Sequence, residues 1–556
     1  MKINFRYLIF SAFWAVFLTA ILLRFLDLQL WQYHKFEDLA NNNRNFSLPI
    51  KASRGLIFDR YDRPLLLNQR QYYLITDPQQ LYSHLKVIDR DTALNYLATD
   101  SAKILSSDYR EYLFPALSHV LGYLSDDKGQ MGLEKKFNDR LAGIDGVKEF
   151  EVNARLKKQK LLRRTETQVG QDLNTSLDPE LSTIAMEAMQ GQKGTVLISD
   201  ARSGKILTLI SSPSFDNNLF TDKDLSPEQK SKQQDEINRL LADPAQSMFN
   251  RSIAGSYPPG SIFKLVTALA GLESGKIDRD TSVLDEGVLK VDDFEYRSWY
   301  YWNYGKTEGE VNLLKALARS NDIYFYKVAE WVGADTLAET ARQFSFGQAT
   351  LLELSSQASG LVPDPKWKEE TVGEKWYLGN TYHFGIGQGD LLVTPLQIQQ
   401  FIQALANQGQ MCQPSLLKSE PANCHNIGVK DSSLDLVLTG MMQACNQGGT
   451  AFPFFERNSR VYNEANTAAQ NLNKGAVACK TGTAEFGAAD EKGTRSAHGW
   501  WVGMVNPSYA KATEGMPERI VITVLVESDE ADQIKEGSYD AAPVGKKILD
   551  WIEENR

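Results

Sequence analysis

The sequence predicts an α+β fold behind a single N-terminal membrane-spanning helix, and three observations carry that prediction. At 556 residues the chain exceeds what one ordinary core holds, so two or three domains are expected. It opens on an apolar run without charge, Tyr7 to Leu23. Strand patterns occur near residue 194 and again after about residue 480, with helical patterns between them, so distant segments must meet in one central antiparallel sheet flanked by helices.

The opening run lies between Arg6 and Arg24 and is close to the lower limit of about 17 residues for a bilayer span. Phe25 and Leu26 lengthen it if Arg24 snorkels. No small-residue cleavage site precedes Leu26–Trp31, which favours a retained anchor over a removed signal. Lys2 and Arg6 place the short N-terminus in the cytoplasm, against a weaker pull from Arg24 and Lys35. The remainder is then extracytoplasmic, attached to the cytoplasmic (inner) membrane by one pass.

We divide the chain into a tip and anchor at 1–30, a middle domain at 31–190 and a C-terminal domain at 191–556. A polar stretch after the anchor ends in Asn41-Asn42-Asn43-Arg44-Asn45. A mixed α/β stretch follows, opening with Arg54-Gly55-Leu56-Ile57-Phe58-Asp59-Arg60, its charges dispersed as on a solvated spacer or partner-binding domain. Gly194–Ser199 and Lys205–Ile210 flank Asp200-Ala201-Arg202-Ser203-Gly204, a β-hairpin signal. The tail returns to strands at His498–Val505 and Ile520–Val526, then closes with a helix over about Ala541–Glu554 carrying Val544, Ile548 and Ile552 on one face.

Composition narrows the function. Charged content of 23% and hydrophobic content of 42% are those of a folded protein. A net charge of −10 argues against a nucleic acid partner. The six histidines show no paired spacing, so neither metal nor cofactor is expected. The four cysteines suit an oxidising compartment. Cys412 and Cys424 bracket a short polar segment and can close a loop, whereas Cys445 and Cys479 lie in apolar contexts and read as small core residues. In a strand Cys479 would point away from the face of its neighbour Lys480, which makes it a poor candidate nucleophile.

Candidate chemistry starts at Ser261-Ile262-Phe263-Lys264. The same spacing recurs at Ser415-Leu416-Leu417-Lys418, but there a polar loop follows, Ser419-Glu420-Pro421. Ser261 instead follows Pro258-Pro259-Gly260, which cannot continue a helix, and precedes Leu265–Leu272, which is apolar on nearly every face and hence buried. Ser261 is expected to cap or begin that helix, with Lys264 on the same face. A serine hydroxyl is a weak nucleophile until a base takes its proton. Lys264 can be that base only if burial against Phe263 and Leu265, and a second cation, lower its pKa from about 10.4. Lys480, in Lys480-Thr481-Gly482-Thr483 on a C-terminal strand, would be that cation. Between them in sequence, Ser320-Asn321-Asp322 offers a hydroxyl to relay a proton and a carboxylate to hold a lysine or a peptide amide.

These motifs, in this order, resemble the penicillin-binding proteins, the D,D-transpeptidases of bacterial peptidoglycan synthesis. Tyr257-Pro258-Pro259-Gly260, Gly385-Ile386-Gly387-Gln388-Gly389 with Thr394-Pro395-Leu396, and Gly448-Gly449-Thr450-Ala451 add matches, and the resemblance covers nearly the whole chain. Arg54-Gly55 with Asp59-Arg60 is similar to the opening of the pedestal in class B members, which lack a glycosyltransferase domain. The resemblance implies a dimerisation-like pedestal at 31–190 and a serine transpeptidase domain, β-lactamase-like in fold, at 191–556. It implies that Ser261 attacks the penultimate D-Ala carbonyl of a stem pentapeptide, releases D-Ala, and passes the acyl group to the amine of an acceptor stem peptide. The N–H groups of Ser261 and Thr483 would hold the oxyanion. Thr481 and Thr483, flanking Gly482, would bind the substrate carboxylate, and β-lactams would trap Ser261.

Asp322 stands where many relatives carry Asn. Ser320-Asn321-Asp322-Ile323-Tyr324-Phe325-Tyr326 is most similar to the elongation-type branch, which implies a SEDS-family glycosyltransferase and other elongation-complex proteins as partners through the anchor and pedestal. A D,D-carboxypeptidase and a β-lactam-sensing receptor are the alternatives, although the first would carry its anchor at the other end and the second would need several spans. A class A β-lactamase would show Glu-x-x-Leu-Asn between Asp322 and Lys480, and none occurs. Trp299-Tyr300-Tyr301-Trp302 reads as core or interface packing, and His383 and His498 as structural histidines.

Overall fold

Helix α1, Phe5–Leu26, continues through one wider turn, Asp27–Trp31, to make a segment of 27 residues whose most apolar 18-residue stretch has mean hydropathy 2.1. At 1.5 Å per residue it reaches roughly 40 Å, enough to cross a hydrocarbon core of about 30 Å. A computed structural model describes residues 5–37, 45–76, 85–100, 104–125, 127–152, 158–221, 227–487, 495–506, 518–528 and 534–556. The polar Asn41–Arg44 stretch lies outside them.

Two compact units make up the chain. One comprises Met1–Gly55, Asn68–Tyr109 and Asp139–Gln171; the other comprises Leu56–Leu67, Arg110–Asn138 and Asp172–Arg556. In the first, Gly146–Val152 pairs antiparallel with Asn45–Ile50 on one side and Lys158–Thr165 on the other. Asp108 in this unit accepts from the Ser53 hydroxyl at 2.7 Å and Arg70 Nε at 2.9 Å.

The second unit is built on one five-stranded sheet. Its strands are β1 (Gly194–Asp200), β2 (Ile206–Ser212), β3 (Ala478–Phe486), β4 (Ser496–Val505) and β5 (Ile520–Val526), in spatial order β2-β1-β5-β4-β3 and antiparallel throughout. The expected hairpin is β1–β2, and β5 closes the sheet against it with Gly194 opposite Val526. Every residue of β2, β4 and β5 is buried, as a sheet covered on both faces requires. Consecutive tryptophans on β4 show the alternation: Trp500 joins one core and Trp501 the other.

Trp501 meets α2 (Pro179–Ala188) and the closing helix, whose Val544, Ile548 and Ile552 are buried as expected. On the face of Trp500 pack α3 (Lys264–Glu273), α4 (Leu313–Arg319), α5 (Asp322–Val332), α6 (Pro395–Ala406) and α7 (Asp431–Ala444). Helix α6 begins at Thr394, whose hydroxyl accepts from Gln397 N while the Gln397 side chain accepts from Thr394 N, a capping box that explains Thr394-Pro395-Leu396.

Two expectations change. Cys412 and Cys424 do form a disulfide, across the short hairpin Gln410–Cys412 and Cys424–Asn426, but Cys445 and Cys479 also form one. Both are fully buried, as their apolar contexts suggested; strand alternation turns Cys479 away from the side of Lys480, toward Cys445 at the end of α7. The Trp299–Tyr304 segment forms a short helix with no buried residue, so it is not core. Its rings instead lie under guanidinium groups, Trp302 under Arg297 and both Trp299 and Tyr300 under Arg319.

Candidate active site

Ser261 lies in a single 3-10 turn, Gly260–Ile262, that runs into α3 without a break. It therefore does not cap the helix: Phe263, at the cap position, already has right-handed helical dihedrals, and no side chain caps it. The turn is held where only backbone fits. Gly260 has φ +52°, and a Cβ there would sit 2.7 Å from Thr483 O. Gly260 N donates to Gly387 O at 2.9 Å, and a Cβ on Gly387 would come within 2.1 Å of Gly260 O. That close approach accounts for Gly387 within the Gly385–Gly389 segment. Trp500 Nε1 donates to Pro258 O at 3.0 Å, tying the turn to β4. The Ser261 hydroxyl has no hydrogen-bond partner among the described residues and is part exposed.

Lys264 is fully buried as the first residue of α3. Its Nζ donates to Asp322 Oδ1 at 2.6 Å, to Ser320 O at 2.8 Å and to Ser320 Oγ at 3.4 Å. Lys480 Nζ, also fully buried, reaches the same Ser320 Oγ at 2.8 Å and Thr481 O at 2.9 Å. Ser320 is thus the hydroxyl shared by two lysines. It can be so because it occupies the elbow between α4 and α5 in the left-handed conformation, φ +54° and ψ 42°. Asn321 then caps α5, accepting from Tyr324 N at 2.8 Å, and Asp322 starts that helix, where a negative charge is favoured.

Two ammonium groups face one carboxylate here. Burial pushes the Lys264 ammonium below the ordinary lysine range, and Asp322 acts against it. Lys480 is pushed well below, first by burial and then by the Lys264 cation, with Asp322 a partial offset. Loss of one proton from the pair leaves a Lys⁺–Asp⁻ contact and a neutral amine.

Strand β3 is an edge of the sheet. The Gln388 amide bridges its open side, accepting from Glu485 N and donating to Glu485 O at 3.1 Å each. By the two-residue alternation of a strand, the N–H groups of Thr481 and Thr483 face the same open side. Gly482 has β4 and the Ser261 turn against it, for a Cβ would lie 3.2 Å from both Trp500 Cβ and Pro259 O.

All eight expected positions therefore meet: Lys264, Ser320, Asp322 and Lys480 by direct hydrogen bonds, and Thr481, Gly482 and Thr483 on the strand against the turn of Ser261. The second Ser-x-x-Lys does not: Ser415 Oγ donates to Glu353 and Lys418 pairs with Asp62. His498 stacks on Phe486 and accepts from Ser528 N at 3.1 Å, with burial lowering its pKa to about 4. Burial also lowers the pKa of His383. Two contacts lay beyond sequence reasoning. Trp299 N donates to Asp322 Oδ2 at 2.8 Å, a backbone contact that carries no residue signal. Thr450 Oγ1 lies 2.7 Å from Thr481 Oγ1. The Gly448–Ala451 motif pointed at Thr450 without showing its partner.

Comparison with known proteins agrees with this geometry. The family description "Penicillin binding protein transpeptidase domain" matches residues 194–550, and "Penicillin-binding Protein dimerisation domain" matches residues 99–175. Peptidoglycan D,D-transpeptidase MrdA of Escherichia coli K12 is 28% identical over 86% of this chain and 84% of its own. The Pseudomonas aeruginosa PBP2 structure in complex with WCK 5153 has a TM-score of 0.66 and 27% identity, covering 91% of this chain and 96% of that one. A Helicobacter pylori PBP2 solved with MreC shares the fold at TM-score 0.71 and 24% identity, covering 92% and 99%. With its family domain spanning most of its length and its serine, lysines and edge strand assembled at one site, this chain belongs to the penicillin-binding protein transpeptidases.

Proposed function

We propose that this chain is an elongation-type, class B peptidoglycan D,D-transpeptidase with Ser261 as its nucleophile. The observation that carries the assignment of roles is the Ser320 hydroxyl shared by Lys264 and Lys480 beside the Ser261 turn. A neutral amine of that pair takes the Ser261 proton, directly at Lys264 or through Ser320, as Oγ attacks the penultimate D-Ala carbonyl carbon. The N–H groups of Ser261 and Thr483 hold the oxyanion. Collapse breaks the amide bond, and the departing D-Ala nitrogen takes the proton. An acceptor-stem amine then attacks the ester and loses its proton to the same lysine pair, which returns it to Ser261 Oγ as the ester bond breaks. Thr481 and Thr483 bind the donor's terminal carboxylate.

The protein is a single-pass membrane protein, and we place its N-terminus in the cytoplasm and its catalytic unit outside, where stem peptides are. Residues 31–190 serve as the pedestal. Together with the anchor they contact a SEDS-family glycosyltransferase, and an MreC-like protein is a further candidate because a neighbour in fold was solved with one. Fluorescent penicillin should label Ser261, as mass spectrometry of the adduct would show, and Ser261→Ala should abolish the label. Label persisting in that variant overturns the assignment. A pentapeptide donor with an acceptor amine should give cross-linked dimer; tetrapeptide alone would make the enzyme a carboxypeptidase.

A further inference from the structure

The seven residues from Cys445 to Ala451 touch both halves of the catalytic cluster. Cys445 is bonded to Cys479, the residue before Lys480. Gly448 O accepts from Arg319 Nη1 at 2.9 Å, and Arg319 is the residue before Ser320. Thr450 Oγ1 lies 2.7 Å from Thr481 Oγ1, while Thr450 O accepts from Ser538 Oγ at 2.7 Å and so fixes the backbone behind it. Gly449 has no space for a side chain, since a Cβ would come within 2.3 Å of Ala444 O, which keeps the segment tight against the end of α7.

We infer that Thr450 is a positioning residue for substrate recognition, setting the proton of the Thr481 hydroxyl so that it points at the donor's terminal carboxylate. The inference rests on the reading of Ser261 and Thr481 above. A hydroxyl has one proton and two lone pairs, and a carboxylate only accepts. When substrate is bound, Thr481 must donate to the carboxylate, so the 2.7 Å contact must then run from Thr450 to Thr481. Thr481 is only 6% exposed, so water is a poor substitute for that donor. A hydroxyl chain running Thr450 to Thr481 to carboxylate also strengthens its last bond by polarisation.

Thr450→Val keeps the shape and removes the donor. The test compares an ester analogue of the D-Ala-D-Ala terminus ending in a free carboxylate with the same ester ending in a carboxamide, using the full-length enzyme. Rates are referred to active sites titrated with excess penicillin. We expect kcat/KM for the free acid to fall about tenfold to a hundredfold, the loss of one hydrogen bond to a charged group, with KM carrying most of it. The carboxamide should change little, so the acid-to-amide ratio shrinks, and Thr450→Ser should restore it. Thr450→Ala, which cannot clash, should behave as Thr450→Val does. An unchanged ratio in both variants, or equal losses on acid and amide, overturns the inference. The wild-type adduct at Ser261 stands or falls separately, because absence of that adduct would sink the nucleophile assignment itself.

Discussion

At Ser320 a serine is held in a left-handed conformation at a cost of about 1–2 kcal/mol, and the return is a hydroxyl that two buried lysines can both reach. Asp322 sets how readily that pair loses its proton. Its charge favours the ammonium forms, so it raises lysine pKa values that burial lowers. Acylation needs one neutral amine and therefore rises with pH through a limb below the ordinary lysine value. Asp322→Asn removes the opposing charge, so the limb should move to lower pH. Stopped-flow acylation by fluorescent penicillin across pH 6–10 measures it, and an unmoved limb would show that Asp322 does not tune the pair. The residue types were legible from motif order and flanking context: Ser261 with Lys264, Ser320 with Asp322, Lys480 with Thr481. That Asp322 would hold a lysine rather than a peptide amide, that the lysine is Lys264, and that one Ser320 hydroxyl reaches both lysines was not, because it depends on one positive φ between two helices.

Helix α7 and strand β3 are joined by Cys445–Cys479, directly behind Lys480. The bond closes a loop of sequence separation 34, for which chain entropy gives about 3–4 kcal/mol of stabilisation. Replacing both cysteines by serine should lower unfolding free energy by roughly that amount in a denaturant titration and slow acylation as β3 loosens; unchanged stability and rate would remove the bond from the account. Strand β4 was plain in the sequence, since His498–Val505 is aromatic and β-branched, and so was β5. The disulfide was missed because apolar context reports burial and says nothing about which buried partner lies across the core. For Trp299–Trp302 the core half of the expectation fails for a related reason: aromatic residues signal burial on average, while here they stack beneath Arg297 and Arg319.

For the molecule as a whole, the anchor and the catalytic unit divide the work. A chain lacking residues 1–31 should stay in the supernatant when liposomes that retain the full-length protein are pelleted, and acylate with penicillin at an unchanged rate. Slower acylation would mean that α1 supports the site as well as locating it. The α+β class could be read from the ends of the C-terminal domain, where strand patterns bracket helices. The spatial order β2-β1-β5-β4-β3 could not, because nothing local records that Gly194 pairs with Val526. That pairing also has a consequence for biosynthesis. Ser261 leaves the ribosome long before Lys480, and β1 cannot find β5 until residues 520–526 have been made. A chain stalled before residue 478 therefore carries Ser261 and Lys264 without the second lysine and the edge strand that complete the site.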